Sequence, residues 1–166
     1  MLYGLVSILA VAALAGVDQL VKAWATAVLL PVGAMPLIPH VVELRYILND
    51  GMAFSMLSGQ RVLLIAVTGI MLGVLLLMLL VRKMPLLERA AWVLIVGGGL
   101  GNLIDRVLNG VVVDYFNLLF MNFAVFNVAD ICVCVGVGLL ALKLLLEAHQ
   151  EHQQQKAQRD PEHGDA

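Results

Sequence analysis

The stretch VLLIAVTGIMLGVLLLMLLV, Val62 to Val81, runs twenty residues without a charge. A helix of that length rises about 30 Å, the thickness of the hydrocarbon core of a bilayer. The same pattern recurs on either side. Ala90–Ile104 carries no charge and closes on Asp105-Arg106, which gives a span near 87–107. Phe123–Leu146 is broken only by Asp130 and Lys143, a span near 123–146. Met1–Val17 carries no charge, and its apolar character continues past Asp18 and Lys22, a span near 3–28. The expected fold is therefore a mostly α integral membrane protein with four transmembrane helices.

Composition agrees. The 166-residue chain is 61% hydrophobic and 13% charged, against roughly 25% charged in soluble domains. Its length suits one membrane-embedded domain over 1–148. The Gln-rich, charged stretch 149–166 has nothing to bury and reads as a disordered tail. The net charge of −2 gives no basis for nucleic-acid binding. Ala13-Leu-Ala15 before Gly16 has the small residues of a secretory cleavage site. No Lys or Arg precedes Lys22, however, so the segment is expected to remain as a span. Cys132 and Cys134 point away from each other on a helix and read as small apolar residues.

Orientation follows from basic residues. Arg82, Lys83 and Arg89 lie between the second and third spans, and Lys143, Lys156 and Arg159 lie at the C-terminal end. Lys22, Arg45, Arg61 and Arg106 lie on the other side. Six against four favours both termini in the cytoplasm. On that topology Asp18, Lys22, Asn49, Gly51, Asn102, Asp105, Arg106, Asp114, Asn127 and Asp130 all gather toward the extracytoplasmic face. Asp114 falls in a loop, and Asp130 falls about seven residues into the fourth helix. Pro31, Pro36 and Pro39 break helicity in the connection 31–60, Val41–Leu48 alternates like a strand, and Asn49-Asp-Gly51 signals a turn. A small extracytoplasmic sheet is expected there, followed by a short interfacial helix at Met52–Leu57.

A carboxylate at membrane depth costs on the order of 2.5–3.5 kcal/mol and so marks a functional site. Asp130 has no basic residue within a dozen positions. Paired with Asp114 it supplies what water-mediated peptide cleavage requires, one ionised carboxylate and one protonated, a split that close like charges enforce. Asn102, Asp105 and Arg106 are spaced i, i+3, i+4 on one face, where Arg106 is placed to pair with Asp105 or to donate to a substrate carbonyl. Asn127 and Asp130 stand at i and i+3, and Asp18 and Lys22 at i and i+4, an intrahelical ion pair. Gly97-x-x-x-Gly101 has the small-residue spacing of tightly packed membrane helices. No H-E-x-x-H and no G-x-S-x-G occurs, so neither a zinc nor a serine hydrolase is indicated, and no metal or organic cofactor is expected.

These blocks, Asp18-Gln-Leu-Val-Lys22, Asn49-Asp-Gly-Met-Ala-Phe54, Gly97–Arg106, Val112-Val-Asp114 and Phe126-Asn-Val-Ala-Asp130, occur in order. In them the chain resembles the lipoprotein signal peptidase (signal peptidase II) family of bacterial inner-membrane aspartic proteases. The resemblance implies Asp114 and Asp130 as the catalytic pair. It implies Asp18, Lys22, Asn49, Gly51, Asn102, Asp105, Arg106 and Asn127 as supporting or substrate-binding positions. It also implies a substrate: a prolipoprotein whose diacylglyceryl-modified cysteine marks the bond to be cut, with membrane lipids around it. Ala124 stands where the family usually has proline, and Met52 replaces a common alanine. The competing class is a small proton-coupled transporter, since intramembrane acids also line ion pathways, but no internal repeat is visible.

Overall fold

The computed structural model describes residues 2–51 and 56–159. Four helices span the chain: α1 Leu2–Val32, α2 Arg61–Val81, α3 Leu86–Leu108 and α4 Val128–Arg159. All four are long and apolar enough to cross a membrane. Three strands, β1 Ala34–Ile38, β2 Val42–Asn49 and β3 Val112–Leu118, form one antiparallel sheet in the order β1-β2-β3. Because the sheet is built from the α1–α2 and α3–α4 connections, it sits at one end of the bundle. The start of α1, the end of α4 and the short α2–α3 turn lie at the other.

Buried positions on α1 fall at Ser7, Val11, Ala15, Asp18, Lys22, Ala25 and Leu29, a stripe spaced by threes and fours. It packs on α3, the helix that α1, α2 and α4 all contact. Three consecutive glycines make that centrality possible. A Cβ on Gly97 would strike Leu14 of α1 at 2.9 Å. One on Gly98 would collide with the Ala129 carbonyl oxygen of α4, and one on Gly99 would meet Leu72 of α2 at 2.7 Å. Each glycine thus admits a different neighbour, the close approach that small residues give membrane helices. In contrast, α2 and α4 flank α3 but barely touch each other, which leaves a cleft between them.

Several boundaries differ from the sequence reading, each for a tertiary reason. Pro31 lies in the last turn of α1, which ends at Gly33, a residue with φ of +77° that closes the helix by donating to the Leu29 carbonyl at 2.7 Å. The segment Val112–Leu118 is a strand, so Asp114 belongs to β3 and not to a loop. Helix α4 starts at Val128 instead of near 123, because Phe126 pairs with Phe116 in an antiparallel bridge and the preceding residues fold back toward the sheet. Asp130 therefore occupies the first turn of α4. At the other end α4 stays helical through Arg159, where a disordered tail was expected from residue 149. Its Ala, Glu, Gln and Lys residues are good helix formers, and the preceding span supplies the nucleus. The interfacial helix expected at Met52–Leu57 lies mostly outside the described residues; 56–59 form a turn.

Beneath the sheet Ala25, Leu29, Leu44, Val113 and Tyr115 form a buried apolar cluster that joins α1 to β2 and β3. Burial pushes the Tyr115 phenol well above its ordinary range, so it stays neutral, and its oxygen accepts the Val128 N–H at 3.2 Å. A second cluster of Val11, Leu79, Val93 and Val96 closes the opposite half of the bundle.

Candidate active site

Asp114 enters the site from the middle of β3, opposite Ile47 in the β2–β3 register. Two residues along β2, Asn49 donates its Nδ2 to Asp114 Oδ2 at 2.9 Å, while its Oδ1 accepts the Gly51 N–H at 2.9 Å and so shapes the turn. The Phe116–Phe126 bridge brings the start of α4 against β3. There Asn127, with no exposed surface, donates Nδ2 to Asp114 Oδ1 at 2.6 Å.

Asn127 and Asp130 form a reciprocal capping pair at the N-terminus of α4. Asn127 Oδ1 accepts the Asp130 N–H at 2.9 Å, and Asp130 Oδ2 accepts the Asn127 N–H at 3.1 Å. The other oxygen, Asp130 Oδ1, accepts Asn102 Nδ2 at 2.7 Å. All four carboxylate oxygens of Asp114 and Asp130 thus accept a hydrogen bond from a donor fixed by secondary structure.

Behind this pair lies a buried charged cluster. Lys22 lies 2.7 Å from Asp18 and 2.8 Å from Asp105, and it donates to Asn102 Oδ1 at 2.7 Å. Asp18 Oδ1 accepts the Ala129 N–H at 3.0 Å, capping the first turn of α4 from a different helix. This is possible because Gly101 leaves room for the Asp18 carboxylate against α3. The expected Asp18–Lys22 pair is present. Asp105, however, does not pair with Arg106: it turns toward α1, to Lys22 and to Gln19 Nε2 at 2.9 Å. Arg106 turns instead to the Gly51 carbonyl, donating from Nη2 at 2.7 Å, and its buried Nε has no acceptor among the described residues.

Two residues in this arrangement were not singled out by the sequence. Gln19 ties α1 to α3 through Asp105 and the Gly101 carbonyl at 3.1 Å. Arg61 donates to the Arg106 carbonyl at 2.9 Å and the Val107 carbonyl at 2.8 Å, capping the C-terminus of α3. Arg61 opens α2 directly after the polar turn, but only its position across from α3 shows what it holds.

Asp114, Asp130, Asn49, Asn102 and Arg106 form the polar end of a cavity of about 520 Å³. Its walls are mostly apolar: Leu64 of α2, Ile131 and Val133 of α4, and Phe123 to Phe126 with Ala124 among them, with Thr68 of α2 adding a hydroxyl. The cavity lies along the α2–α4 cleft. Asp114 is 2% exposed, and burial raises its carboxyl to about 6, with the Asp130 charge adding to the rise and the Asn49 and Asn127 donors opposing it. Among the described residues no group of three or more His, Cys, Asp or Glu is placed to hold a metal ion.

Comparison with known proteins bears on this geometry. The family described as signal peptidase (SPase) II matches residues 10–146. A lipoprotein signal peptidase of Streptococcus thermophilus (strain CNRZ 1066) is 40% identical over 148 residues, covering 86% of this chain and 94% of that protein. One from Clostridioides difficile (strain 630) is 41% identical over 145 residues, covering 87% and 95%. Among solved structures, a bacterial membrane enzyme determined by the in meso method at 2.3 Å aligns with a TM-score of 0.78 and 33% identity, over 86% of this chain and 89% of that one.

Proposed function

The chain belongs to the signal peptidase II family, the lipoprotein signal peptidases, which remove signal peptides from prolipoproteins, and from that premise we propose how its residues carry out the cleavage. Asp114 and Asp130 are the catalytic pair. The observation that carries this assignment is that both carboxylates, each gripped by two fixed donors, face one cavity at the end of a cleft between membrane helices. The transporter reading is not favoured.

Asp130, bonded by two N–H groups at the positive end of α4, acts as the carboxylate base. Asp114, whose proton burial retains toward neutral pH, acts as the acid. Asp130 takes a proton from water as the water oxygen bonds to the scissile carbonyl carbon. Asp114 gives its proton to the carbonyl oxygen, and a neutral tetrahedral diol results. In the second step the proton now on Asp130 passes to the leaving nitrogen, a diol hydroxyl returns its proton to Asp114, and the C–N bond breaks. The products are the free carboxyl of the signal peptide and the free amine of the next residue. No metal or cofactor takes part, since two carboxylates and water balance every step.

The finer substrate reading follows from the shape of the site. The cavity is mostly apolar apart from the end that holds the dyad, and it lies along the α2–α4 cleft. A diacylglyceryl chain on the cysteine after the scissile bond remains in lipid while the peptide lies across the dyad. The guanidinium of Arg106, which lines the cavity, supplies a donor for a substrate carbonyl. Residues 1–148 constitute the peptidase unit and 149–166 take no part in the chemistry. The enzyme resides in the bacterial inner membrane with both termini cytoplasmic and the site at the outer face, an orientation supported by Arg82, Lys83 and Arg89 around the α2–α3 turn.

Incubation of the purified protein with a diacylglyceryl-modified prolipoprotein tests the whole reading. The expected result is loss of the signal-peptide mass with the lipidated cysteine at the new N-terminus. Cleavage at another bond, equal cleavage of the unlipidated precursor, or no cleavage would refute it.

A further inference from the structure

Lys22 is 3% exposed and its ammonium has three partners: it is ion-paired with Asp18 at 2.7 Å and with Asp105 at 2.8 Å, and it donates to Asn102 Oδ1 at 2.7 Å. The first two neutralise a buried cation, as burial requires. The third goes to a neutral amide, and charge balance does not call for it.

An ammonium only donates, so the atom of Asn102 that faces it must be the amide oxygen. Asn127 Nδ2, also a donor, approaches the same oxygen at 3.1 Å. With Oδ1 held on that side, Nδ2 is left pointing at Asp130 Oδ1, 2.7 Å away. A reversed amide would set its NH2 against two donors and its oxygen against the Asp130 carboxylate. The polarity of Asn102 is thus set by two donors, the closer of which, Lys22, comes from α1 and lies two side chains away from the reacting carboxylate.

We infer that Lys22 is a positioning residue for the dyad, fixing the polarity of the Asn102 amide and through it the seat of Asp130. This rests on the assignment of Asp130 as a catalytic carboxylate. Lys22 itself does not line the cavity, so its effect falls on turnover and not on substrate binding.

Lys22→Met keeps the length of the apolar stem and removes the donor. The expected loss in kcat is about 10- to 100-fold, the worth of one hydrogen bond to a charged group, with KM changed less than about threefold. The decisive measurement is a double-mutant cycle with Asn102→Ala. If Lys22 acts through Asn102, adding Lys22→Met to Asn102→Ala lowers kcat by no more than about twofold further. A full second loss in the double variant, or wild-type kcat in Lys22→Met, overturns the inference. Should Lys22→Met fail to fold, Lys22→Met/Asp105→Asn, which preserves the net charge of the buried cluster, replaces it on the Lys22 arm of the cycle with the same expected outcomes.

Wild type and Asp130→Asn are assayed alongside on the same prolipoprotein. A wild type that does not cleave removes the proposed function and the inference with it. A wild type that cleaves, an inert Asp130→Asn and a fully active Lys22→Met remove the inference alone.

Discussion

Replacing Gly98 with alanine should damage catalysis more than stability. The added Cβ would run into the Ala129 carbonyl oxygen and lie 3.0 Å from both Cys132 Cβ and Val133 Cγ2. A backbone carbonyl within a helix cannot swing aside, so α3 and α4 must separate by roughly 1 Å to regain ordinary contact distances. Asn102 reaches Asp130 across that same interface at 2.7 Å. A displacement of about 1 Å takes that pair beyond hydrogen-bonding range. Loss of one hydrogen bond to a charged group, about 1.5–3 kcal/mol, corresponds to a fall in turnover of about 10- to 100-fold. Overpacking costs about 1–3 kcal/mol of stability, and alanine returns about 1 kcal/mol as a better helix former. The net loss of stability is therefore about 0–2 kcal/mol. Gly73→Ala in α2 is the control, because nothing lies within 4 Å of its added methyl. It should gain slightly in thermal stability and keep full activity. Gly97→Ala is intermediate, since it meets only the Leu14 side chain, which can move. Prolipoprotein cleavage and thermal unfolding in detergent would be measured for all three. Turnover by Gly98→Ala within about threefold of wild type would show that the α3–α4 spacing does not set the geometry of the dyad.

Asp114→Asn and Asp130→Asn should each lower turnover by at least about 10²–10⁴-fold while the protein still inserts and unfolds cooperatively; cleavage followed by mass spectrometry checks this. Activity should survive exhaustive chelation, and restoration of a lost activity by added zinc would contradict the two-carboxylate mechanism. Asp114 binds its proton more tightly folded, at about 6, than unfolded, at 3.8, so the folded state holds the extra proton between those values. Its contribution to stability is fully present below 3.8 and is lost as pH rises through about 6, a change of about 3 kcal/mol that should vanish from the pH dependence of thermal unfolding in Asp114→Asn. Arg106→Ala should weaken turnover strongly, though less than a dyad change, and Arg106→Lys should restore it incompletely, because an ammonium does not reproduce the planar fork with which a guanidinium holds the Gly51 carbonyl and faces substrate. Neither Arg106 variant strands Asp105, which is held by Lys22 and Gln19, so a large stability loss without an activity loss would mark Arg106 as purely structural.

The four spans were legible because crossing a bilayer depends on the length of an apolar run, a quantity contained in consecutive residues. The Asp18–Lys22 pair was legible for a related reason: partners four apart on one helix meet whatever the rest of the chain does. The ordered motif blocks carried the family resemblance and with it the proposed dyad. Helix periodicity could not say where a side chain goes once several neighbours compete for it. Asp105 and Arg106 are adjacent, yet one turns to α1 and the other to the Gly51 carbonyl. That choice depends on Lys22 being buried in the α1 stripe, where an ammonium needs carboxylates around it. Likewise Val112–Leu118 becomes a strand because β2 offers it an edge and Phe126 pairs with its other side. Asp114 therefore meets Asn49 across 65 residues of sequence, and Gln19 meets Asp105 across 86. Contacts of that range leave no periodic trace, since they are set by which helices pack together, and here three adjacent glycines on α3 decide the packing.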